Sequence, residues 1–306
     1  MPYTGMGFGR ITVLHLGVTL PSLGSLDELA AVGGIQGAAR HLERLGFESA
    51  WVADLTIGDG TPALEPVAAL AAAAAATDRL RLGFSTLVLP LREPAAVAAQ
   101  LQTLQYVSGN RVLLGVGIGG YPEAPYWSAV GAQKAGRGRR TDDALTVLPR
   151  LVEGAEADGL RLAPAAPMPP VLIGGTSAAA QRRAARYGDG WFPSLLTPQE
   201  LGESTERLAD LAAAQGRPTP SVTVGGHAQL SGDTAARDSF VRTLVDTHGM
   251  AAEQAARVPV TGSPAEAAEH LAAYAAAGAE RAVLSFDGSD WLKQSEQLAR
   301  ARDLLG

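Results

Sequence analysis

The sequence predicts an α/β protein folded as a single (β/α)8 barrel, and three observations support this prediction. Eight short apolar segments alternate with helical patterns, and no segment breaks that order. The segment 81–90, RLGFSTLVLP, carries almost no charge and is typical of a fully buried parallel strand. A count of eight favours closure of a helix-covered parallel sheet into a barrel, with an open doubly wound sheet as the alternative. No shift in composition marks a second domain, so residues 1–306 are expected to form one domain.

Four strands and three helices are predicted in the first half of the chain. Each strand is a short apolar run, and each helix shows apolar residues at three- and four-residue spacing or an alanine-rich run. Helix 35–45 has a clear end signal, because Gly46 can take the left-handed conformation that closes a helix. In chain order, the elements are strand 11–20, helix 35–45, strand 49–53, helix 66–77, strand 81–90, helix 93–107 and strand 112–116.

The second half opens with a glycine-rich loop and continues the alternation. A helix is predicted to begin at Thr141, whose hydroxyl can cap it. An alanine- and proline-rich stretch, 154–169, is expected to be an irregular insert. Ser263 and Pro264 form a second start signal, with serine as cap and proline at the first helical position. The predicted elements after loop 117–136 are helix 141–152, strand 170–173, a helix ending at 187, strand 190–194, helix 198–214 capped by Thr197, strand 221–230, helices 234–247 and 264–277, strand 281–286 and helix 290–305.

Composition argues against several classes of function. The net charge of the 306 residues is −6 and no basic stripe is interleaved with aromatic residues, so no nucleic-acid partner is expected. The absence of cysteine excludes a disulfide framework, thiol catalysis and cysteine-ligated metals. The alanine-rich run 68–76 is too short and too weakly apolar to span a bilayer, and residues 1–10 lack the pattern of a signal peptide. We therefore expect a soluble cytoplasmic protein with no membrane partner.

Barrels of this kind bind ligands over the carboxyl ends of their strands, so residues at those ends are the candidate site residues. Asp54 directly follows predicted strand 49–53. Ser85 and Thr86 lie in the middle of strand 81–90. A buried strand would not normally place small polar residues there unless something polar lies against them. The alternative is that both hydroxyls bond neighbouring backbone groups.

The junction after strand 170–173 indicates a phosphate site. Gly174 and Gly175 allow the backbone to approach an anion closely, and Thr176 and Ser177 add hydroxyls at a helix N-terminus. Free N–H groups and the helix dipole attract phosphate at such a position. The alternative is an ordinary tight turn with a hydroxyl cap.

A second glycine-rich stretch, 115–120 (GVGIGG), matches the G-x-G-x-x-G pattern of dinucleotide-binding folds. Tyr121 and Pro122 follow where a helix should begin, and no strand ends in an acidic residue about twenty positions on, so we reject that reading. Gly117 and Gly119 are instead expected to clear space for a flat ligand against the strand. Close packing is the alternative explanation.

A basic run precedes the helix predicted at Thr141 and offers a candidate anion site. Cations gain nothing from the dipole at a helix start, so an anionic ligand would explain them, and a solvated loop explains them equally well. The run consists of Lys134, Arg137, Arg139 and Arg140.

The histidines show no spacing typical of metal ligands, and neither a nucleophile elbow nor a P-loop occurs, so no metal site, hydrolase or nucleotide triphosphatase is predicted. Two of them lie on predicted strands, and one of these two is a candidate to face the pocket. The two on strands are His15 and His227, and the others are His41, His248 and His270.

Five segments, taken together and in order, resemble the luciferase-like flavin-dependent oxidoreductases, whose members include bacterial luciferases, FMN-dependent monooxygenases and deazaflavin-dependent enzymes. The resemblance implies a luciferase-like TIM barrel that binds a flavin or deazaflavin over the strand ends, commonly as a homodimer. It also implies a non-proline cis peptide joining Ser85 and Thr86, and a phosphate site at 174–177. Protein groups would position the ring while the cofactor does the redox chemistry. The segments are GFESAWVADL, RLGFSTLVLPLREP, NRVLLGVGIGG, PVLIGGTSAAAQRRAARYGDGW and VTGSPAEAAEHLAAYAAAGAERAVL.

The sequence departs from the luciferase pattern at two positions. Luciferases place a catalytic histidine directly after the acid that ends the second strand, but here Leu55 follows Asp54. They also place a phosphate-gripping arginine near the end of the fourth strand, where this chain has Ile118. The basic run up to Arg140 is a candidate substitute, or a candidate site for the longer anionic tail of the deazaflavin.

Three hypotheses follow. The first is an FMN-dependent monooxygenase that takes reduced flavin from a separate reductase, uses O2 and acts on a small organic substrate. The second is a hydride-transfer oxidoreductase that uses the deazaflavin coenzyme F-420, and the third is a flavin-binding or structural homologue without turnover. In the first, Asp54 would be the acid–base residue, and Ser85 and Thr86 would support the ring. The pocket would be walled by Tyr121, Tyr126, Trp127 and Trp191.

Overall fold

The computed structural model describes residues 13–24, 26–157 and 159–305. The beginning of predicted strand 11–20 and the N-terminal segment weighed as a signal peptide lie outside the described residues. The described strands, in chain order, are β1 (His15–Thr19), β2 (Ser49–Val52), β3 (Arg81–Phe84), β4 (Leu87–Val88), β5 (Val112–Gly117), β6 (Val171–Gly174), β7 (Gly190–Phe192), β8 (Ser221–Gln229), β9 (Val260–Thr261) and β10 (Arg281–Phe286).

The strands form a closed parallel barrel. β10 pairs with β1 on one side and with β8 on the other, and the remaining neighbours follow chain order. β3 and β4 both pair with β5 and together occupy one of eight positions in the ring, while β9 adds to the end of β8. This closure confirms the predicted (β/α)8 barrel and excludes the open doubly wound sheet.

Helices surround the barrel. They are α1 (Asp27–Ala31), α2 (Gly34–Leu45), α3 (Pro66–Ala74), α4 (Pro94–Ser108), α5 (Pro125–Ala129), α6 (Arg137–Val152), α7 (Ala178–Tyr187), α8 (Pro198–Ala213), α9 (Thr234–His248), α10 (Ala252–Ala255), α11 (Pro264–Ala276) and α12 (Trp291–Asp303). Three predicted helix boundaries are confirmed. Gly46 ends α2 with φ 81°, and Thr197 and Ser263 cap the N-termini of α8 and α11 in capping boxes. No helix in the described part of the chain combines the length and apolar character needed to cross a membrane.

A layer of large side chains packs inside the ring around Trp51. Gly17 and Gly83 on the two neighbouring strands leave room for its indole, because a Cβ on either would approach the ring within 2.4 Å. The indole N–H donates to Ser49 Oγ over 2.8 Å. The residues of this inner cluster are Trp51, Leu113, Leu172, Phe192 and Val283. Since strand side chains alternate, the other face of each strand packs against the helices in a larger core.

The structure corrects several predicted boundaries. Helix α6 begins at Arg137 rather than Thr141, because Gly136 with φ 70° precedes it and the Thr141 hydroxyl donates within the helix to the Arg137 carbonyl. Predicted strand 81–90 is broken between β3 and β4, where the peptide bond joining Ser85 and Thr86 is cis, as the resemblance implied. Loop 117–136 contains α5, and α1, α10 and β9 were not predicted.

Candidate active site

A cleft of about 900 Å³ opens over the carboxyl ends of the barrel strands. Cofactor and ligand sites typically enclose roughly 300–1,000 Å³ and combine an apolar wall with a few polar groups. The wall of this cleft follows that pattern, and its apolar residues include Leu55, Ile57, Leu195 and Leu244. The polar lining residues include Asp54, Ser85, Thr86, Arg137, Thr176, Ser177 and His227.

The end of β6 and the start of α7 form one end of this wall. Gly175 has φ 105°, a conformation that side-chain-bearing residues rarely adopt, and its carbonyl accepts a hydrogen bond of 2.8 Å from the Trp191 indole. The Ser177 hydroxyl accepts from Ala180 N over 3.2 Å and caps α7. The N–H groups of Ala178 and Ala179, which precede Ala180, have no partner within the helix and are open to an anion. All four predicted phosphate-site residues, Gly174, Gly175, Thr176 and Ser177, line the cleft.

Arg137 supplies a cation to the same cleft. Its Nε is buried and has no hydrogen-bond partner among the described residues. Arg183 of α7 donates to the Gly138 carbonyl over 3.2 Å and to Asp142 over 2.5 Å, so α6 and α7 pack against each other. Arg137, at the start of α6, and Ser177, at the start of α7, both line the cleft.

The rest of the basic run does not face the cleft. Arg140, predicted as a cofactor-binding residue, donates to the carbonyls of Ala135 and Gln133 and is absent from the cleft lining. Arg139 is exposed and lies within 3.8 Å of Asp143. Because α6 starts one turn earlier than predicted, Arg137 alone of these arginines points to the cleft.

Thr86 is enclosed by glycines. A Cβ on Gly117 would lie 2.3 Å from Thr86 Oγ1, and one on Gly174 would lie 2.9 Å from Thr86 Cγ2. Gly119 has φ 86°, and a Cβ there would lie 2.5 Å from the Trp127 ring. We predicted that Gly117 and Gly119 clear space for a flat ligand, but in the structure they clear space for these two side chains, while their backbone still lines the cleft.

Asp54, predicted as the acid–base residue, is held by other groups. Its Oδ2 accepts from Val88 N over 2.8 Å and from Arg92 over 2.5 Å, and its Oδ1 accepts from Arg92 over 3.0 Å. The carboxylate is buried, with 1% of the side chain exposed. A carboxylate that accepts three hydrogen bonds, two of them from one guanidinium, is held in one position and anchors the chain. The geometry gives Asp54 the task of fixing the segment after β4 against the end of β2.

The predicted aromatic wall is present only in part. Tyr121 and Trp127 line the cleft. Trp191, also predicted as a cofactor contact, is fully buried in the core between strands and helices, and its neighbour Phe192 lines the cleft instead. Strand side chains alternate between faces, so a shift of one residue exchanges the two roles. Tyr126 is not part of the lining.

A histidine–carboxylate pair, of which the sequence suggested only one member, lies in the same cleft. His227 on β8 lines the cleft, and its Nδ1 lies 2.9 Å from Oδ1 of Asp287. Phe240 of α9 stacks on the imidazole with ring centroids 4.1 Å apart. His15, the other strand histidine, is exposed at the opposite end of the barrel, where β1 begins. Asp287 directly follows β10, so the rule that selected Asp54 would also have found it.

The described residues contain no group of three or more histidine, aspartate or glutamate side chains arranged to hold a metal ion. The described cleft lining offers a helix N-terminus, the Arg137 guanidinium, several hydroxyls, an apolar wall and the imidazole of His227.

Comparison with known proteins identifies relatives across most of the chain. The family model described as luciferase-like monooxygenase matches residues 14–286. An uncharacterized protein of Mycobacterium bovis is 37% identical over 172 residues, which cover 53% of this chain and 59% of that protein. A 4-hydroxyprotoasukamycin monooxygenase of Streptomyces nodosus subsp. asukaensis is 32% identical over 201 residues, 58% of this chain and 53% of that protein. The matches thus span between half and three-fifths of these curated relatives.

Among solved structures, an F-420-dependent secondary alcohol dehydrogenase, in complex with an F-420–acetone adduct, superposes with a TM-score of 0.79. The match covers 96% of this chain and 99% of that chain at 17% identity. At this identity the likeness shows the fold alone.

Proposed function

The chain belongs to the luciferase-like monooxygenase family, whose members are oxidoreductases, and on that basis we propose that it binds reduced FMN and oxygenates a small organic substrate. When bound, the reduced flavin supplies the two electrons with which one atom of O2 enters the substrate and the other leaves as water. A monooxygenase among the relatives, 32% identical over 201 residues, supports the use of O2.

The buried, unpartnered Nε of Arg137 carries the assignment of a phosphorylated cofactor. A buried guanidinium donor without a partner is costly, and an anion in the cleft would satisfy it. The N-terminus of α7, capped by Ser177, adds N–H groups and the positive end of the helix dipole to the same cleft. The residues present therefore fit the phosphate of FMN. Arg137 would take the role of the phosphate-binding arginine that luciferases carry at the position where this chain has Ile118.

The remaining cleft residues would orient the ring and exclude water. Ser85 and Thr86 lie at the break between β3 and β4 and line the cleft, so they would lie against the ring. Arg92 and Asp54 would hold that segment in place through their ion pair. Trp127, which is buried, and Leu244 would close the cleft to water.

A second candidate is the deazaflavin coenzyme F-420 in a hydride-transfer reaction. Arg139 supports it, because it lies two residues after Arg137 and 88% of its side chain is exposed, so it would be accessible to a longer anionic tail that extends beyond the cleft. The separate flavin reductase, the homodimer, the cytoplasmic location and the organisation of residues 1–306 as one domain also belong to the proposal.

One titration distinguishes the candidates. The purified chain is titrated anaerobically with reduced FMN and, separately, with the reduced deazaflavin, and oxygen uptake is then followed after air is admitted. Our proposal expects tighter binding of reduced FMN, and oxygen uptake that is coupled to product when substrate is present. Tight deazaflavin binding without oxygen uptake would favour the second candidate. Binding of neither cofactor would leave a homologue without turnover.

A further inference from the structure

The hydrogen bond between His227 and Asp287 has a defined direction, from the imidazole to the carboxylate. An ionised carboxylate can only accept, so the 2.9 Å contact requires the proton of the neutral imidazole to reside on Nδ1. The other ring nitrogen, Nε2, is then a bare acceptor. Asp287 Oδ2 is buried and has no hydrogen-bond partner within the described chain, so the imidazole is the polar partner that this carboxylate has.

The backbone holds both members of the pair rigidly. His227 lies opposite Ser285 in the parallel register of β8 and β10. The amide of Asp287 donates to the Ala228 carbonyl over 3.0 Å, and its own carbonyl accepts from Gln294 over 2.9 Å. Phe240, stacked at an interplanar angle of 23°, restricts rotation of the imidazole. The direction of Nε2 is therefore set before any ligand binds.

Among the described residues that line the cleft, His227 carries the imidazole, and its Nε2 has no hydrogen-bond partner within the described chain. Asp54 is neutralised by Arg92, and Arg137 is a permanent cation. Leu195, Leu244 and Val283 line the cleft with Phe240 and offer no polar group, while Ser194, Thr243 and Ser285 add hydroxyls to the same lining. A ligand seated there would meet a largely apolar wall with a few hydroxyls and the imidazole nitrogen.

We propose that Nε2 of His227 binds the hydroxyl group of an apolar, hydroxyl-bearing substrate and accepts its proton, with Asp287 as the positioning residue. The oxygen–hydrogen bond breaks, its electron pair stays on the substrate oxygen, and a nitrogen–hydrogen bond forms at Nε2. The Asp287 carboxylate stabilises the imidazolium that results. The statement that the bound hydroxyl compound is the substrate rests on the proposed function, whereas the recognition of the hydroxyl does not.

Binding of two probes tests the recognition without turnover. Para-nitrophenol carries an acidic hydroxyl, and para-nitroanisole replaces that proton with a methyl group. Affinities for the full chain are measured calorimetrically with and without oxidised FMN. A site built to bond a hydroxyl should prefer the phenol by at least about tenfold, and the bound phenol should show increased phenolate absorption. His227→Leu should reduce the preference to less than about twofold, and His15→Leu, at the other end of the barrel, should leave it intact.

The tautomer is an independent readout. In protein labelled with ¹⁵N-histidine, NMR should place the proton of His227 on Nδ1, and Asp287→Asn should move it to Nε2, because the amide can donate to Nδ1. A wild-type imidazole protonated on Nε2 would overturn the proposal, as would equal affinity for the two probes or a preference that survives His227→Leu. Neither measurement needs FMN to bind, so a failure of the proposed cofactor is distinguishable from a failure of the pair.

Discussion

Asp54 and Arg92 form a two-point ion pair that ties the end of β2 to the turn after β4, with nitrogen–oxygen distances of 2.5 and 3.0 Å. Luciferases carry a catalytic histidine beside the corresponding acid. In this chain Leu55 takes that place, and the acid itself holds one wall of the cleft in shape.

Asp54→Asn should destabilise the protein strongly. The substitution leaves the Arg92 guanidinium, 15% exposed, without its charged partner, and a broken buried pair typically costs about 3 kcal/mol. Urea unfolding measures the change in free energy. Glu123→Gln is the matched control, since its pair with Lys134 is exposed and should contribute no more than about 1 kcal/mol. Equal, small changes in both variants would contradict the anchoring role.

Gly117→Ala should be harmful because of Thr86. The new Cβ would lie 2.3 Å from Thr86 Oγ1, and overpacking of this kind costs about 1–3 kcal/mol. Adding Thr86→Ala removes that oxygen and should recover part of the loss in a double-mutant cycle of thermal or urea unfolding. Gly120→Ala is the control: a Cβ added there would have no neighbouring atom within 4 Å, so the free energy of unfolding should hardly change. Strict additivity of the Gly117 and Thr86 substitutions would refute the contact as the cause.

Ser177→Asp separates anion binding from folding. Aspartate caps helices about as well as serine, so the unfolding free energy should be preserved. The added carboxylate should nevertheless repel a phosphate at the start of α7 and raise the Kd for reduced FMN at least about tenfold, about 1.4 kcal/mol. Fluorescence or absorbance titration measures the Kd. Unchanged affinity would show that the phosphate of FMN does not bind at the start of α7.

Arg137→Ala should weaken FMN binding by more than about tenfold, because it removes the charge-assisted donor that the cleft offers. Arg139→Ala is the natural comparison: it lies on the same helical turn, is 88% exposed and does not line the cleft. Its effect on the FMN titration should be less than about threefold, since exposed charges contribute little. If the Arg139 variant lost more affinity for the deazaflavin than for FMN, the second candidate cofactor would gain support.

Glu48→Gln should flatten the acid limb of the stability curve. Burial raises the pKa of Glu48, but the hydrogen bonds and charge of Arg281, at 2.8 and 2.9 Å, outweigh it, so the pKa lies below its ordinary value of 4.5. A folded-state pKa below the unfolded one gives stability that is present above 4.5 and is lost as the pH falls through the folded value. Urea midpoints across an acid pH series should therefore fall more steeply in the wild type. Parallel curves would show that this pair does not contribute.

Features of the fold that depend on a few neighbouring residues could be predicted from the sequence. The alternation of apolar strands and helices predicted the closed barrel, and strand 281–286 coincides with β10. Gly46 and Ser263 were recognisable because a left-handed glycine and a serine–proline start are local features. Thr141 misled for an equally local reason: its hydroxyl bonds the carbonyl four residues earlier, an alternative to capping that sequence does not distinguish.

Contacts between distant residues account for what was missed. His227 and Asp287 are 60 positions apart, and only the register of β8 against β10 brings them together. Trp191 and Phe192 are both apolar, so no alternation indicated which of them faces the cleft. Asp54 looked available because its partner, Arg92, lies 38 positions away.

The strand that completes the ring also delivers the aspartate, since β10 joins β1 to β8 and Asp287 comes directly after it. During synthesis, a nascent chain that has not yet emerged past residue 287 therefore lacks the strand that closes the barrel between β8 and β1. It also lacks the carboxylate that orients the His227 imidazole. Prematurely terminated translation products that stop before this strand are expected to be inert fragments rather than partly working enzymes.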